Sequence, residues 1–221
     1  AKTSVEGLNR GAFDVIYIAV KSFDTSSVMD EVAPLIDANT LVSAYQNGLG
    51  NAEVIADRVG WNRTVGVRAI YGVRRPEPGA AHVTVIANPT ALGVYDDAAP
   101  AARVEELAEE MNAAGLPTVY TDAIQTVLWG KVTYNCALNP LSALLDVPYG
   151  DLAKTDHSRT LIQKVVHEVY AVADALQVPL DPSSPSAYIT HLFDDLIPPT
   201  AAHFASMHEA LARGRRTEID A

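Results

Sequence analysis

Strand-like and helix-like segments alternate through the first half of the chain. Residues 14–20, with the sequence Asp-Val-Ile-Tyr-Ile-Ala-Val, form an apolar run that predicts a strand buried on both faces. An amphipathic stretch with helical spacing follows at 28–36, and a second apolar run follows at 40–45. This order of strand, helix and strand is typical of a parallel α/β sheet.

Segments of both kinds continue as far as residue 122. The pattern predicts a short helix at 51–59, a longer helix at 100–114, and strands at 64–70, 81–86, 91–95 and 116–120. We therefore expect residues 1–122 to form a Rossmann-like α/β domain with a parallel sheet.

The periodicity changes near Asp122, and only helical patterns follow. Apolar residues recur at helical spacing in four segments separated by Pro- and Gly-containing stretches: 124–145, 160–176, 188–196 and 206–213. We expect residues 123–221 to form an all-helical domain.

Composition and charge exclude several classes of function. The formal net charge of −11 and the pI near 4.8 disfavour binding to a phosphate backbone. The single cysteine, Cys136, excludes a disulfide framework and a cysteine-based zinc site, and we predict no metal. No apolar run approaches the roughly 20 residues of a membrane span, and the polar start lacks the apolar segment of a signal peptide. A cytoplasmic protein without nucleic-acid or membrane partners is therefore expected.

A polar stripe interrupts the apolar helix predicted at 124–145. Lys131, Asn135 and Asn139 lie four residues apart, so one ammonium and two amides share a face. The flanking residues are apolar, and two asparagines lower helix propensity, which favours a stripe that faces a cleft. The alternative, a solvated polar face, fits the spacing equally well.

The residue types in this polar stripe suit the reduction of a ketone. Negative charge develops on the carbonyl oxygen as hydride reaches the carbon, so a positioned acid is required. A lysine in a partly dry cleft supplies both charge and proton. Neighbouring amides hold a hydroxyl or carbonyl oxygen without adding charge.

A second polar cluster lies near the end of the chain. Ser206 begins a predicted helix, where it can act as an N-cap, as part of a carboxylate site, or as both. Glu218 follows a glycine-containing turn, and beside Arg215 and Arg216 it can also form an ordinary surface ion pair. His203 alone is typical of a packed or surface histidine.

Several short motifs occur in order from about Phe13 to the end of the chain. They are Val20-Lys-Ser22, Gln46-Asn-Gly48, Trp129-Gly-Lys131 with Asn135 and Asn139-Pro140, Ser206-Met207, and Arg216-Thr-Glu-Ile-Asp220. Together, and in this order, they resemble the ketopantoate reductases.

The resemblance implies a two-domain enzyme that reduces ketopantoate to pantoate, in the biosynthesis of pantothenate, with NADPH as hydride donor. It makes Lys131 the proton donor and implies that the substrate is held by Asn135, Asn139, Ser206 and Asn47. It assigns contacts with the cofactor to Lys21, Asn47 and Glu218, with Asn47 near the nicotinamide end. It also implies a homodimer formed through the helical domain.

Without the resemblance, two of these residues have ordinary interpretations. Lys21 would be a surface or helix-start lysine, and Asn47-Gly48 would be a common turn.

The first departure from the family pattern is Tyr149, where many members have an asparagine. A tyrosine there can narrow the pocket or offer a different hydrogen bond, or it can simply pack in the turn at 148–150. A related 2-keto acid therefore remains an alternative substrate. The spacing of Lys131 and Asn135 also fits the wider 6-phosphogluconate-dehydrogenase-like group, which would act on another hydroxy acid, but Arg216-Thr-Glu-Ile-Asp220 favours the ketopantoate branch.

The second departure is the glycine loop. Family members begin with a Gly-x-Gly-x-x-Gly loop that holds the pyrophosphate, and none precedes Phe13. The near-match at 48–53 has Glu53 in place of the third glycine and aligns with a later turn. We expect both ends to be shorter than in the family, which leaves NADP or NAD undecided and a non-catalytic binding or assembly module as an alternative.

Overall fold

The computed structural model of the protein describes residues 4–74, 76–96 and 100–219. They form two compact units that divide after Gln125. The first unit holds a five-stranded sheet with helices, and the described part of the second unit is helical. The predicted fold class, an α/β unit followed by a helical unit, is confirmed.

The structure has the following elements in chain order. The strands are β1 (Val15–Ile18), β2 (Leu41–Ala44), β3 (Thr64–Arg74), β4 (His82–Val94) and β5 (Thr118–Tyr120). The helices of the first unit are α1 (Thr25–Val32), α2 (Asn51–Val59) and α3 (Ala101–Ala113). The remaining helices are α4 (Ile124–Leu145), α5 (Tyr149–Leu152), α6 (Asp156–Ala175), α7 (Pro185–His191) and α8 (Ser206–Ala212). Short 3-10 turns lie at Ser22–Asp24, Ala33–Leu35, Trp61–Arg63 and Pro198–Thr200, and a π-helical turn lies at Leu192–Leu196.

The sheet has the strand order β1-β2-β3-β4-β5. Strands β1, β2 and β3 are parallel neighbours, and β5 runs parallel to β4. Ile18 pairs with Ala44, and Ala44 pairs with Gly66, so the carboxyl ends of β1 and β2 coincide at one edge of the sheet.

One strand differs from the prediction. The segments at 81–86 and 91–95 form the single strand β4, which is antiparallel to β3. The connection from Arg74 to His82 is too short for the crossover that a parallel pair needs, so the two strands form a hairpin. Strand β4 continues through Asn88-Pro89, although these residues interrupt its apolar pattern. Register shifts in the pairing with β3 accommodate the interruption.

Strand β2 divides the core of the first unit into two layers. Its four residues are all buried. Val42 and Ala44 pack in a cluster with residues of α1 and α2, whereas Leu41 packs in a cluster with α3. Successive side chains of a strand point to opposite faces, so helices cover both faces of the sheet at β2. The prediction that residues 14–20 are buried on both faces is wrong, because β1 is the edge strand of the described sheet and its Tyr17 is 45% exposed.

The second unit is built around α4. Ala137 and Leu138 of this helix are fully buried in a cluster with residues of α5, α6 and α7. Polar caps start two of the surrounding helices: Thr155 accepts from the Ser158 N–H, and Ser184 accepts from the Ala187 N–H. These caps explain why α6 and α7 begin earlier than their apolar periodicity predicts. Across the described ranges, no helix is both long and apolar enough to cross a bilayer.

Gly93 in β4 marks a close contact between the sheet and the start of α4. A Cβ at this position would meet the Thr121 carbonyl oxygen and would lie 2.6 Å from the Cβ of Ile124. We expect Gly93→Ala to lower the free energy of unfolding by about 1–3 kcal/mol, because nearby atoms must shift to make room. Urea denaturation followed by circular dichroism measures this loss.

Gly130→Ala is the matched control for this substitution. Apart from its own helix, no described atom lies within 4 Å of a Cβ built on Gly130. Alanine is the better helix former, so we expect this variant to gain roughly 0.5–1 kcal/mol. Equal urea midpoints for the two variants would contradict the close contact at Gly93.

Candidate active site

Lys21 and Asn47 follow two neighbouring parallel strands at the same edge of the sheet. Each lies three residues beyond the last pair of the β1–β2 ladder, which joins Ile18 to Ala44. The Tyr45 N–H donates to the Ile18 carbonyl at 2.9 Å and extends the ladder toward them. Both side chains are exposed. The carboxyl ends of parallel strands are where α/β sheets bind ligands, so this edge offers an ammonium and an amide to a ligand.

A buried hydrogen-bond network fixes the loop that carries Asn47. The Gln46 side-chain amide donates to Thr25 Oγ1 at 2.6 Å, and the Thr25 hydroxyl donates to Asn51 Oδ1 at 2.9 Å. The Asn51 amide then donates to the Asn47 carbonyl at 3.1 Å. Thr25 and Asn51 are the first residues of α1 and α2, so the network joins both helix starts to this loop.

This network has little signature in the sequence. Its members are three common polar residues, Thr25 lies 21 residues before Gln46, and only the Gly48-Leu-Gly50 turn before α2 indicates a specific loop conformation. Both glycines have positive φ, 87° and 81°, which favours glycine at these positions.

Buried residues lie beside the polar stripe on α4. Leu128 and Leu138 lie three and seven residues from Lys131 and are buried, whereas Cys136, next to Asn135, is exposed. Lys131, Asn135 and Asn139 themselves are all half-buried. The stripe therefore lies where the buried side of the helix meets its surface.

Tyr149 meets the end of this polar stripe. Its hydroxyl donates a hydrogen bond to Asn139 Oδ1 at 2.7 Å. The Tyr149 side chain is only 3% exposed, and burial raises the pKa of its phenol well above the ordinary value. Tyr149 does more than pack in the turn, because it is a neutral donor that holds one amide of the stripe.

The backbone at Tyr149 is fixed by the segment before α8. Its N–H donates to the His203 carbonyl at 3.0 Å, and the Gly150 N–H donates to the Ala201 carbonyl at 2.9 Å. A Cβ on Gly150 would lie 2.8 Å from the Ala201 Cβ, so only glycine allows this close approach. The Tyr149 ring also contacts the rings of Tyr134 and His203, with centroid distances of 5.7 and 5.3 Å.

Ser206 and Glu218 lie outside the segments that hold Tyr149. Ser206 begins α8 as predicted, but its interpretation as the N-cap is wrong, because Ala205 occupies the cap position without a side-chain cap bond. The Ser206 hydroxyl is instead exposed on the first turn. Glu218 is half-buried after α8, and Asp220 of the same motif lies outside the described residues.

Helix α8 is tied to the end of α4. His208 Nε2 lies 2.6 Å from Asp146 Oδ1, one residue beyond the last turn of α4. In the described portions of the chain, no cluster of three or more His, Cys, Asp or Glu side chains could hold a metal ion.

Family models match both units of the chain. The model described as "Ketopantoate reductase PanE/ApbA" matches residues 2–97, and the model described as "Ketopantoate reductase PanE/ApbA C terminal" matches residues 123–221. A 2-dehydropantoate 2-reductase of Aquifex aeolicus is 35% identical over 94% of this chain and 67% of its own length. The chain belongs to the ketopantoate reductase family.

Other members of the family agree with this assignment. The 2-dehydropantoate 2-reductase of Halobacterium salinarum is 31% identical over 94% of this chain and 66% of its own length. The crystal structure of 2-dehydropantoate 2-reductase from Geobacter metallireducens is 29% identical, with a TM-score of 0.85, over 99% of this chain and 70% of that one. The chain thus spans about two thirds of the length of these ketopantoate reductases.

Membership confirms the predictions of an oxidoreductase and a nicotinamide cofactor. The ketopantoate reductases are oxidoreductases that use NADPH. The roles of the individual site residues stay predictions.

Thr25 is the centre of the buried network, and its hydroxyl is the group to remove. Thr25→Val keeps the side-chain shape but leaves the Gln46 amide and Asn51 Oδ1 without their shared partner. We expect a loss of about 1–3 kcal/mol in the free energy of unfolding, because unsatisfied buried polar groups are costly. Urea denaturation of the variant measures it.

Thr90→Val provides the contrast. Thr90 is also buried, but its Oγ1 has no hydrogen-bond partner in the described ranges. Removing this hydroxyl should leave stability unchanged within about 0.5 kcal/mol or raise it. If Thr25→Val and Thr90→Val unfolded at the same urea concentration, the hydrogen bonds of Thr25 would make no measurable contribution to stability.

Proposed function

We propose that the protein reduces 2-dehydropantoate (ketopantoate) to pantoate with NADPH, a step of pantothenate biosynthesis. The observation that carries the proposal is the half-buried polar stripe of Lys131, Asn135 and Asn139 in a chain of the ketopantoate reductase family. A cation and two amides in a half-buried row suit a small anionic ketone.

The reaction adds a hydride to the C2 carbonyl carbon and a proton to its oxygen. When bound, NADPH supplies the hydride. Lys131 stabilises the negative charge that develops on the oxygen and donates the proton to it, which leaves a neutral amine on the lysine and a hydroxyl on C2. The neutral amine regains a proton from water before the next turnover.

Positioning the keto acid falls to the amides and a hydroxyl. Asn135 and Asn139 extend the row begun by Lys131, so they can hold the substrate while its carbonyl oxygen meets the ammonium. Ser206, exposed on the first turn of α8, adds a hydroxyl partner, and Asn47 contributes a further amide. These neutral groups orient the substrate without competing for the proton.

Lys21, Asn47 and Glu218 would hold the cofactor. The coincident ends of β1 and β2 fit this role, because they present Lys21 and Asn47 together at a sheet edge. The ammonium of Lys21 suits a phosphate or ribose oxygen, and the amide of Asn47 suits the nicotinamide end. Glu218 accepts hydrogen bonds from hydroxyl groups. The network around Thr25 supports this assignment, since it fixes the loop before any ligand arrives.

A related 2-keto acid is the second candidate substrate. Tyr149 favours it, because a buried phenol bonded to Asn139 fills a position where a smaller polar side chain would leave room for another substrate group. An acid such as 3-methyl-2-oxobutanoate, which lacks the hydroxymethyl group of 2-dehydropantoate, is the natural comparison.

Lys131→Ala tests the assignment of the acid. We expect kcat for NADPH oxidation with 2-dehydropantoate to fall by about 10²–10⁴, because both the proton and the charge on the developing oxyanion are lost. The rate is followed by the decrease in NADPH absorbance with the native full-length protein. Lys154→Ala is the matched control, since Lys154 is exposed and pairs only with neighbouring Asp151 in the described contacts.

The outcomes separate the candidate functions. Turnover that collapses in Lys131→Ala but not in Lys154→Ala supports the reductase. Faster turnover of 3-methyl-2-oxobutanoate than of 2-dehydropantoate would move the assignment to the related keto acid. Failure of the native protein to bind NADPH would favour a non-catalytic binding or assembly module.

Asn47→Ala tests the cofactor side. The loss of one hydrogen bond should raise the Kd for NADPH about threefold to tenfold. Isothermal titration calorimetry measures it without any substrate. Asn39→Ala is the control, because Asn39 is also an exposed loop asparagine and makes its contact with Asp37 through the backbone N–H. An unchanged Kd in Asn47→Ala would remove Asn47 from the cofactor site.

A further inference from the structure

Tyr149 is fixed more firmly than its place in a short helix requires. Backbone hydrogen bonds at Tyr149 and Gly150 join it to the carbonyls of His203 and Ala201. The ring stands edge-on to Tyr134, whose own hydroxyl lies 2.8 Å from Thr200 Oγ1. The phenol oxygen therefore has little freedom to move.

The hydrogen bond from Tyr149 decides which way the Asn139 amide points. A neutral phenol has one proton to donate, and here it goes to Asn139 Oδ1 at 2.7 Å. The raised pKa of Tyr149 means that this proton stays in place at physiological pH. The side-chain amide is planar, so when its oxygen accepts from Tyr149 its NH₂ group points in a different direction, away from the phenol.

We infer that Tyr149 is a positioning residue that orients Asn139 so that its side-chain NH₂ donates to an oxygen acceptor of the substrate. The inference rests on the proposed function of Asn139 in substrate binding and adds the direction of its hydrogen bond. With the ammonium of Lys131, the polar stripe then presents donors at both ends. Carboxylate and keto oxygens, which only accept hydrogen bonds, are the matching groups.

A double-mutant cycle tests whether Tyr149 acts through Asn139. The variants are Tyr149→Phe, Asn139→Ala and the two combined, each in the native full-length protein. Tyr149→Phe keeps the ring but removes the proton that orients the amide, so we expect kcat/KM for 2-dehydropantoate to fall about fivefold to tenfold. In the Asn139→Ala background the same substitution should change kcat/KM by less than about twofold.

Tyr170→Phe is the matched control. Tyr170 is another buried tyrosine of the second unit, and its hydroxyl donates to the Pro182 carbonyl at 2.7 Å rather than to a member of the polar stripe. Removing the Tyr170 hydroxyl should lower thermal stability as Tyr149→Phe does but leave kcat/KM for 2-dehydropantoate unchanged. A purely structural role for Tyr149 would make the two variants alike.

Each kinetic outcome has a definite meaning. An equal loss of kcat/KM from Tyr149→Phe with and without Asn139 would overturn the inference and leave the proposed function standing. Normal activity in Asn139→Ala would instead remove Asn139 from the substrate site, and with it the proposed function of this residue.

A readout independent of activity tests the hydrogen bond itself. The side-chain NH₂ resonances of Asn139 are identified in ¹⁵N correlation spectra by their loss in Asn139→Ala. We expect them to shift in Tyr149→Phe and to stay in place in Tyr170→Phe. Unshifted Asn139 resonances in Tyr149→Phe would overturn the inference even if the protein reduced no 2-dehydropantoate.

Discussion

Three polar side chains stand half-buried on α4 beside buried residues such as Leu138, and burial of polar groups is costly unless each has a partner. This constraint shapes the second unit. Residues four apart on a helix are offset by about 40°, so Asn139 is rotated by about 80° from Lys131. At that end of the stripe the Tyr149 hydroxyl supplies a partner for the amide oxygen. The segment at 201–203 in turn fixes the backbone of Tyr149 and Gly150.

The first unit brings its polar side chains together without a long helix. Parallel pairing alone places the residues after β1 and β2 at the same edge of the sheet. Loops at such an edge are exposed and would be mobile without internal bonds. The contacts of Gln46, Thr25 and Asn51 supply those bonds from within the core. In both units a buried polar residue thus restrains a candidate site asparagine: Asn51 bonds the backbone carbonyl of Asn47, and Tyr149 bonds the side-chain amide of Asn139.

The sequence predicted what depends on periodicity and missed what depends on long-range polar contacts. The bounds of α2 and α4 follow from apolar spacing, and both helices have the predicted limits. Strand β4 was divided in error, because Asn88-Pro89 resembles a turn and only the pairing with β3 shows a continuous strand. The partner of Asn139 could not be predicted, since Tyr149 lies on another helix and its hydroxyl had several plausible uses.

The orientation of Asn139 has a consequence for how the site discriminates among ligands. An asparagine amide that is free to turn can offer either its oxygen or its NH₂ group, and so accepts hydroxyl donors and oxygen acceptors alike. Turning the amide would let its NH₂ group donate to the phenol oxygen, but the phenol proton would then lack an acceptor among the described contacts of Tyr149. That arrangement costs a buried unsatisfied donor, so the amide keeps one orientation. In the proposed substrate site, Asn139 would therefore select ligands by their acceptors, and specificity at this position would derive from a tyrosine that need not touch the ligand.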